Sequence, residues 1–78
     1  MAIVRLFAIL REIAGETHVQ ADGASVGDVV RALCDRYGPR FTSIAERSTV
    51  VMDGEPASLD TPVAGSEELA ILPPVSGG

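Results

Sequence analysis

An α+β fold, with one main helix laid across one face of a mixed four- to five-stranded sheet, is predicted by three observations. Apolar residues recur at helical spacing in a single long segment, Val26–Tyr37. Four other segments (1–8, 17–21, 49–53 and Glu68–Leu72) are short and rich in β-branched or aliphatic residues. Glycine, proline and Asp-Gly punctuation separates them. The 78 residues make one domain, 1–78, with a radius of gyration of about 11–12 Å expected for that length. A composition of 46% hydrophobic and 22% charged residues, with a mean hydropathy of +0.27, is that of a chain with a packed core.

Each element has its own local reason. Residues 1–8, MAIVRLFA, read as the first strand. Alternation puts Val4, Leu6 and Ala8 on one face and Ile3, Arg5 and Phe7 on the other, wetter one. Residues 9–14 are good helix formers and predict one short turn, stopped at Gly15. The second strand, 17–21, follows so closely that the two are expected to pair antiparallel. The helix over Val26–Tyr37 is the clearest element. Ser25 is its N-cap, and Asp28 stands three residues on, where a capping box carries Glu. Val26, Val29, Val30, Leu33 and Tyr37 form one apolar stripe. Gly38 is expected as a left-handed C-terminal cap, with Pro39 blocking continuation and Arg36 suiting the helix dipole.

Residues 40–47 read as an irregular connection in which Phe41 and Ile44 pack. The third strand, 49–53, is closed by the Asp53-Gly54 turn. The turn-rich stretch 59–66 is anchored by Leu59 and Val63, and Glu68–Leu72 is the last strand. The order strand, strand, helix, strand, strand is that of the β-grasp arrangement, with the first and last strands parallel and central.

Charge and composition exclude several functions. Six basic residues, all arginine, oppose eleven acidic ones for a net charge of -5. That balance argues against nucleic acid or an anionic membrane as partner. No apolar run approaches the roughly 20 residues of a membrane helix, and the N-terminus reads as no secretory leader, so the expected compartment is cytoplasmic. The single cysteine, Cys34, excludes a disulfide framework and any cysteine-based metal cluster held by this chain alone. It reads as a small buried or half-buried hydrophobe. His18 has no cysteine nearby, and no metal or bound cofactor is expected.

The C-terminus carries the chemistry. After a good strand the sequence runs Pro73-Pro74-Val75-Ser76-Gly77-Gly78. Proline restricts a chain towards extended conformations, and glycine carries no side chain. A flexible tail, 73–78, is therefore suited to enter a narrow cleft and present a terminal carboxylate. The expected reactive group is Gly78, with Gly77, Ser76 and Val75 as threading residues and Pro74 and Pro73 setting the exit direction. Alternation also predicts an apolar docking patch beside the tail, made by Phe7, Val51, Ala70 and Leu72.

LFAILREIAG (6–15) and LAILPPVSGG (69–78) resemble the signature ends of the sulfur-carrier family of MoaD and ThiS, and in particular the small subunit of molybdopterin synthase, MoaD. The specific parts are Arg11-Glu12-x-x-Gly15 and the double-proline tail. The loop Gly65-Ser66-Glu67-Glu68 departs from the family's usual Asp-Gly-Asp-Glu. This resemblance implies a ubiquitin-like β-grasp domain and a two-stage chemistry. A ubiquitin-activating-type enzyme (MoeB-type) uses ATP to adenylate the Gly78 carboxylate, and sulfur delivery then makes a thiocarboxylate. The implied large subunit is MoaE-type, in a heterotetramer of two small and two large subunits. There the sulfur is donated to cyclic pyranopterin monophosphate to build the dithiolene of molybdopterin in molybdenum cofactor biosynthesis. The chain itself is then a non-autonomous subunit. The alternatives are a sulfur carrier for thiamine, cysteine or tRNA thiolation, and a ubiquitin-like binding module whose tail is never activated.

Overall fold

Strict alternation along the first strand buries Ala2, Val4 and Leu6 and leaves Ile3 and Arg5 exposed. The computed structural model describes residues 1–74, and the expectations for Val75, Ser76, Gly77 and Gly78 lie outside the described residues. The elements are β1 (Ala2–Leu6), α1 (Ala8–Ala14), β2 (His18–Ala21), α2 (Val26–Tyr37), α3 (Pro39–Ala45), β3 (Thr49–Met52), β4 (Glu55–Ala57) and β5 (Glu68–Leu72). They form a five-stranded mixed sheet in the order β2-β1-β5-β3-β4. Among the described residues only β1 and β5 pair in parallel, and the other three strand pairings are antiparallel. This is the ubiquitin-like β-grasp topology, with a Cα radius of gyration of 11.3 Å.

The inner face of the sheet and the helices share one core. Val4, Leu6, Leu69 and Ile71 come from the two central strands, Val26, Val29 and Leu33 from α2, Leu10 from α1 and Phe41 from α3. Each such side chain, fully removed from water, contributes roughly 1.5–3 kcal/mol of transfer free energy. The α2 N-terminus is capped as its sequence demands, with the Asp28 amide donating to Ser25 Oγ at 3.2 Å.

Five expectations are corrected. Ala8 is not a strand residue; it is exposed, has φ 51° and opens α1, so the chain turns one residue after Phe7. Gly38 has φ 93° and ψ -172°, a positive φ but no left-handed helical cap, and it flanks two helices at once. Pro39 therefore does not end helical structure: it sits in the first turn of α3, where a missing N–H costs nothing. The expected irregular connection over 40–47 is largely that helix, which buries Phe41 completely, half-buries Ile44 and sets the Phe41 ring 5.2 Å from that of Tyr37. Leu59 is no anchor: 61% of it is exposed, whereas Val63 is buried. A further strand, β4, pairs Glu55–Ala57 with β3 across the Asp53-Gly54 turn.

That turn has positive φ at both centres, 50° at Asp53 and 88° at Gly54, as mirror-image hairpin turns require. A Cβ at Gly54 meets no atom within 4 Å. Gly54→Ala is expected to cost about 1–2 kcal/mol from backbone conformation alone, and Gly54→Asn clearly less, measured as the shift in urea midpoint. A second prediction concerns Glu67. Its carboxylate accepts the Ala64 and Gly65 amides, each at 2.9 Å, and these bonds hold its pKa below the ordinary Glu value. Because the folded value is depressed, this contribution is present above the usual carboxylate range and is lost as pH falls through the lowered folded value. Urea titrations at falling pH are expected to show a weaker acid dependence in Glu67→Gln than in the parent.

Candidate functional site: the outer sheet face and the exit of the last strand

The last strand lies at the centre of the sheet, flanked by β1 on one side and β3 on the other. Its start is held by a reciprocal pair: the Asp53 amide donates to the Glu68 carbonyl, and the Glu68 amide donates to Asp53 Oδ1, both at 3.0 Å. Its end passes directly to Pro73, half-buried, and Pro74, exposed. Prolines lack the N–H that a sheet ladder needs, so pairing stops where the chain must leave. The chain thus leaves the centre of the sheet at Pro73.

Register builds the outer face. Ala70 is flanked by Arg5 on β1 and by Val51 on β3, and Val51 is flanked in turn by Pro56 on β4. Leu72 follows two residues after Ala70 on the same face, opposite Thr49. Phe7 stands one position beyond the Leu6–Ile71 pair. Of the four residues expected to form a docking patch, Phe7, Val51 and Ala70 are half-buried and Leu72 is 37% exposed. The structure therefore brings Val51 and Ala70 into direct register and sets Leu72 and Phe7 towards the exit end. Buried Phe41 and Ala45 commit α3 to the inner core, and it packs against α1 and α2.

Two apolar residues of this face were not among the four expected to form the docking patch. Ile3 is 42% exposed and pairs with Glu68, and Pro56 lies beside Val51. Alternation already assigned Ile3 outward; Pro56 needed β4, which the sequence hid. Arg5 supplies the polar part of the face. Its guanidinium carbon sits 5.9 Å from the Phe7 ring centroid, and its Nε donates to His18 Nε2 at 3.3 Å. His18 thus accepts through Nε2 and is tied to the sheet surface. Among the described residues, no group of three or more His, Cys, Asp or Glu is placed to hold a metal ion. None of the described helices is long and apolar enough to cross a membrane.

An apolar face beside a centrally placed last strand is a surface on which a partner protein can dock. Comparison with known proteins is consistent with that geometry. The family model described as the ThiS family matches residues 4–78. Small archaeal modifier protein 1 of Haloferax volcanii is 38% identical over 85 residues, an alignment covering 95% of this chain and 97% of the relative. Its crystal structure gives a TM-score of 0.81, covering 99% of this chain and 98% of that one. The solution structure of small archaeal modifier protein 1 from Methanosarcina acetivorans is 32% identical with a TM-score of 0.88, covering 99% and 95% of the two chains. A chain in the crystal structure of the Amycolatopsis orientalis BexX/CysO complex is 26% identical with a TM-score of 0.82 and full coverage of both chains, 100% and 100%. The sequence match along nearly the whole length, on the same fold, shows that this chain belongs to the ThiS/MoaD family of ubiquitin-like sulfur carriers.

Proposed function

We propose that this chain is the sulfur-carrier small subunit of a molybdopterin synthase, acting through the carboxyl group of Gly78. The observation that carries the proposal is the double-proline Gly-Gly tail on the central strand of a ThiS/MoaD-family domain. A carboxylate is a poor electrophile. Attack of the Gly78 carboxylate on the α-phosphorus of ATP, inside a ubiquitin-activating-type partner, releases pyrophosphate and leaves an acyl-adenylate. The terminal sulfur of a persulfide then displaces AMP to form an acyl disulfide, and a thiol cleaves the persulfide's original S–S bond, leaving a thiocarboxylate on Gly78 and a disulfide on the donor. ATP is bound by the activating partner, and this chain holds no cofactor.

In the acceptor complex, with two small and two large subunits, the thiocarboxylate sulfur attacks a side-chain carbon of cyclic pyranopterin monophosphate and displaces its oxygen substituent, which leaves as the opened phosphate or as water, and a second loaded carrier repeats the step at the neighbouring carbon. Hydrolysis of the resulting acyl linkage leaves sulfur on the precursor and returns Gly78 to a carboxylate. The chain supplies the nucleophile; positioning in the large subunit's cleft supplies most of the rate. In this reading Phe7, Val51, Ala70 and Leu72 dock on the partner, Pro73 and Pro74 aim the tail, and Val75, Ser76 and Gly77 thread the cleft.

A second reading is supported by the 38% identity to a protein named a modifier. The activated Gly78 carbonyl is then attacked by a lysine amine of a target protein, with loss of AMP, to form an isopeptide. The chain contains no lysine, so it cannot build lysine-linked copies of itself.

The test starts from the purified chain, ATP, an activating enzyme of this type and a persulfide donor. Cleavage after Glu68 releases Leu69–Gly78, which contains no methionine whose oxidation would mimic sulfur for oxygen. The expected result is one sulfur replacing one oxygen on Gly78, abolished by deletion of Gly78. Offering the loaded chain to a molybdopterin synthase large subunit with the pterin precursor is then expected to yield the dithiolene. Sulfur loading without dithiolene formation overturns the molybdopterin assignment, and isopeptide-linked lysines on other proteins establish the modifier reading.

A further inference from the structure

A second surface of the molecule is built for contact and lies away from the outer sheet face. A groove of about 800 Å³ runs between α2, the C-terminal half of α3 and the β3–β4 edge. Val30, Ala45, Val50 and Ala57 form its apolar floor, and Leu59 stands at its lip. Ala45 and Val50 are core residues whose edges the groove uncovers; Val30 and Ala57 are half-buried.

Leu59 is 61% exposed, yet the turn that carries it is pinned. The Gly27 amide donates to the Leu59 carbonyl and the Val26 amide to the Thr61 carbonyl, both at 2.9 Å. The Ser58 amide donates to Thr61 Oγ1 at 3.0 Å, and the Thr61 amide donates to the Ser58 carbonyl at 3.1 Å. The approach is so close that a Cβ at Gly27 would come within 3.1 Å of the Leu59 oxygen and 3.3 Å of its Cβ. An apolar side chain held outward on a fixed backbone loses little conformational freedom when it is covered.

The rim is acidic. Asp28, Asp35, Glu46 and Asp60 surround the floor, against a single Arg31. Among the described residues none of these carboxylates is in an ion pair; the one ion pair there joins the Met1 amine to Asp22. Four unneutralised carboxylates on a chain of net charge -5 select a cationic occupant. The neighbouring sheet edge does not favour a strand. It is β4, three residues long with Pro56 at its centre, a poor template for strand addition.

We propose that this groove docks an amphipathic helix of a partner protein, one whose apolar stripe is flanked by arginine or lysine. The apolar stripe covers Leu59, Val30 and Ala57, and the flanking cations meet the acidic rim. The groove opens on the helical side of the sheet, so this contact leaves the outer face and the exit of β5 free. A carrier held in this way can still hand its tail to a second protein.

The test uses the full chain, labelled with nitrogen-15, and a leucine/arginine amphipathic helical peptide of about four turns. Amide shift changes are expected at Val30, Arg31, Leu59 and Asp60, and binding is expected to protect Cys34, which lines the groove, from alkylation. Leu59→Ser is expected to weaken the peptide roughly tenfold or more, with sulfur loading of Gly78 unchanged. The double variant Asp35→Lys, Glu46→Lys is expected to weaken it without altering the fold. Shift changes centred on Ile3, Val51 and Leu72, or spread evenly over remote acids such as Glu12 and Asp22, overturn the proposal. So does an unchanged affinity in Leu59→Ser, or equal binding of a leucine/glutamate peptide of the same length. Because sulfur loading is read separately, failure here is distinguishable from failure of the carrier function.

Discussion

The parallel pairing of β1 with β5 is the constraint from which the rest of the molecule follows. Val4 opposes Leu69 and Leu6 opposes Ile71, and all four are essentially removed from water. Two parallel neighbours cannot be joined by a hairpin, so the chain must cross the sheet between them, and α2 makes that crossing over the face these residues present. Placing the first and last strands side by side at the centre leaves the antiparallel strands β2, β3 and β4 to complete the edges. The same pairing has a further consequence. The last strand has a neighbour on each side, so the chain reaches Pro73 from the interior of the sheet and not from an edge.

Several independent contacts protect that arrangement at the start of β5. The Glu67 carboxylate gathers the Ala64 and Gly65 amides, and the next residue, Glu68, exchanges two hydrogen bonds with Asp53. These bonds satisfy backbone groups that a tight, glycine-containing turn would otherwise leave to water. They also set where β5 begins, and with it the register that brings Ala70 beside Val51. The outer face is therefore assembled by hydrogen bonds made several residues away. Among the described residues no comparable device follows Leu72, where two prolines end the ladder.

The two faces of the sheet differ in what covers them. The inner face is committed to the core with α1, α2 and α3, and its residues are buried without exception along β1. The outer face carries Ile3, Val51, Ala70 and Leu72 and ends at the tail. On the helical side, the pinned 58–61 turn and the acidic rim of α2 and α3 make a separate surface with different chemistry. The two surfaces lie on opposite sides of the sheet, so contact through one does not occlude the other.

The sequence by itself determined the elements whose signals are local. Ser25, Asp28 and the stripe from Val26 to Tyr37 specify α2 from end to end, and the aliphatic run before Pro73 specifies β5. The Pro-Pro-Val-Ser-Gly-Gly motif is legible there too, because a motif of consecutive residues needs no folded neighbours to be read. Tertiary structure alone decided the rest. The helix α3 was hidden because Pro39 follows Gly38, a pair that reads as a stop; burial of Phe41 and Ala45 makes it a start. The strand β4 has three residues and a proline, and exists because β3 pairs with it. Leu59 is apolar and reads as an anchor, but hydrogen bonds from the first turn of α2 turn it outward. Alternation assigns a residue to a face, whereas only register and long-range hydrogen bonds say which residues on that face are neighbours.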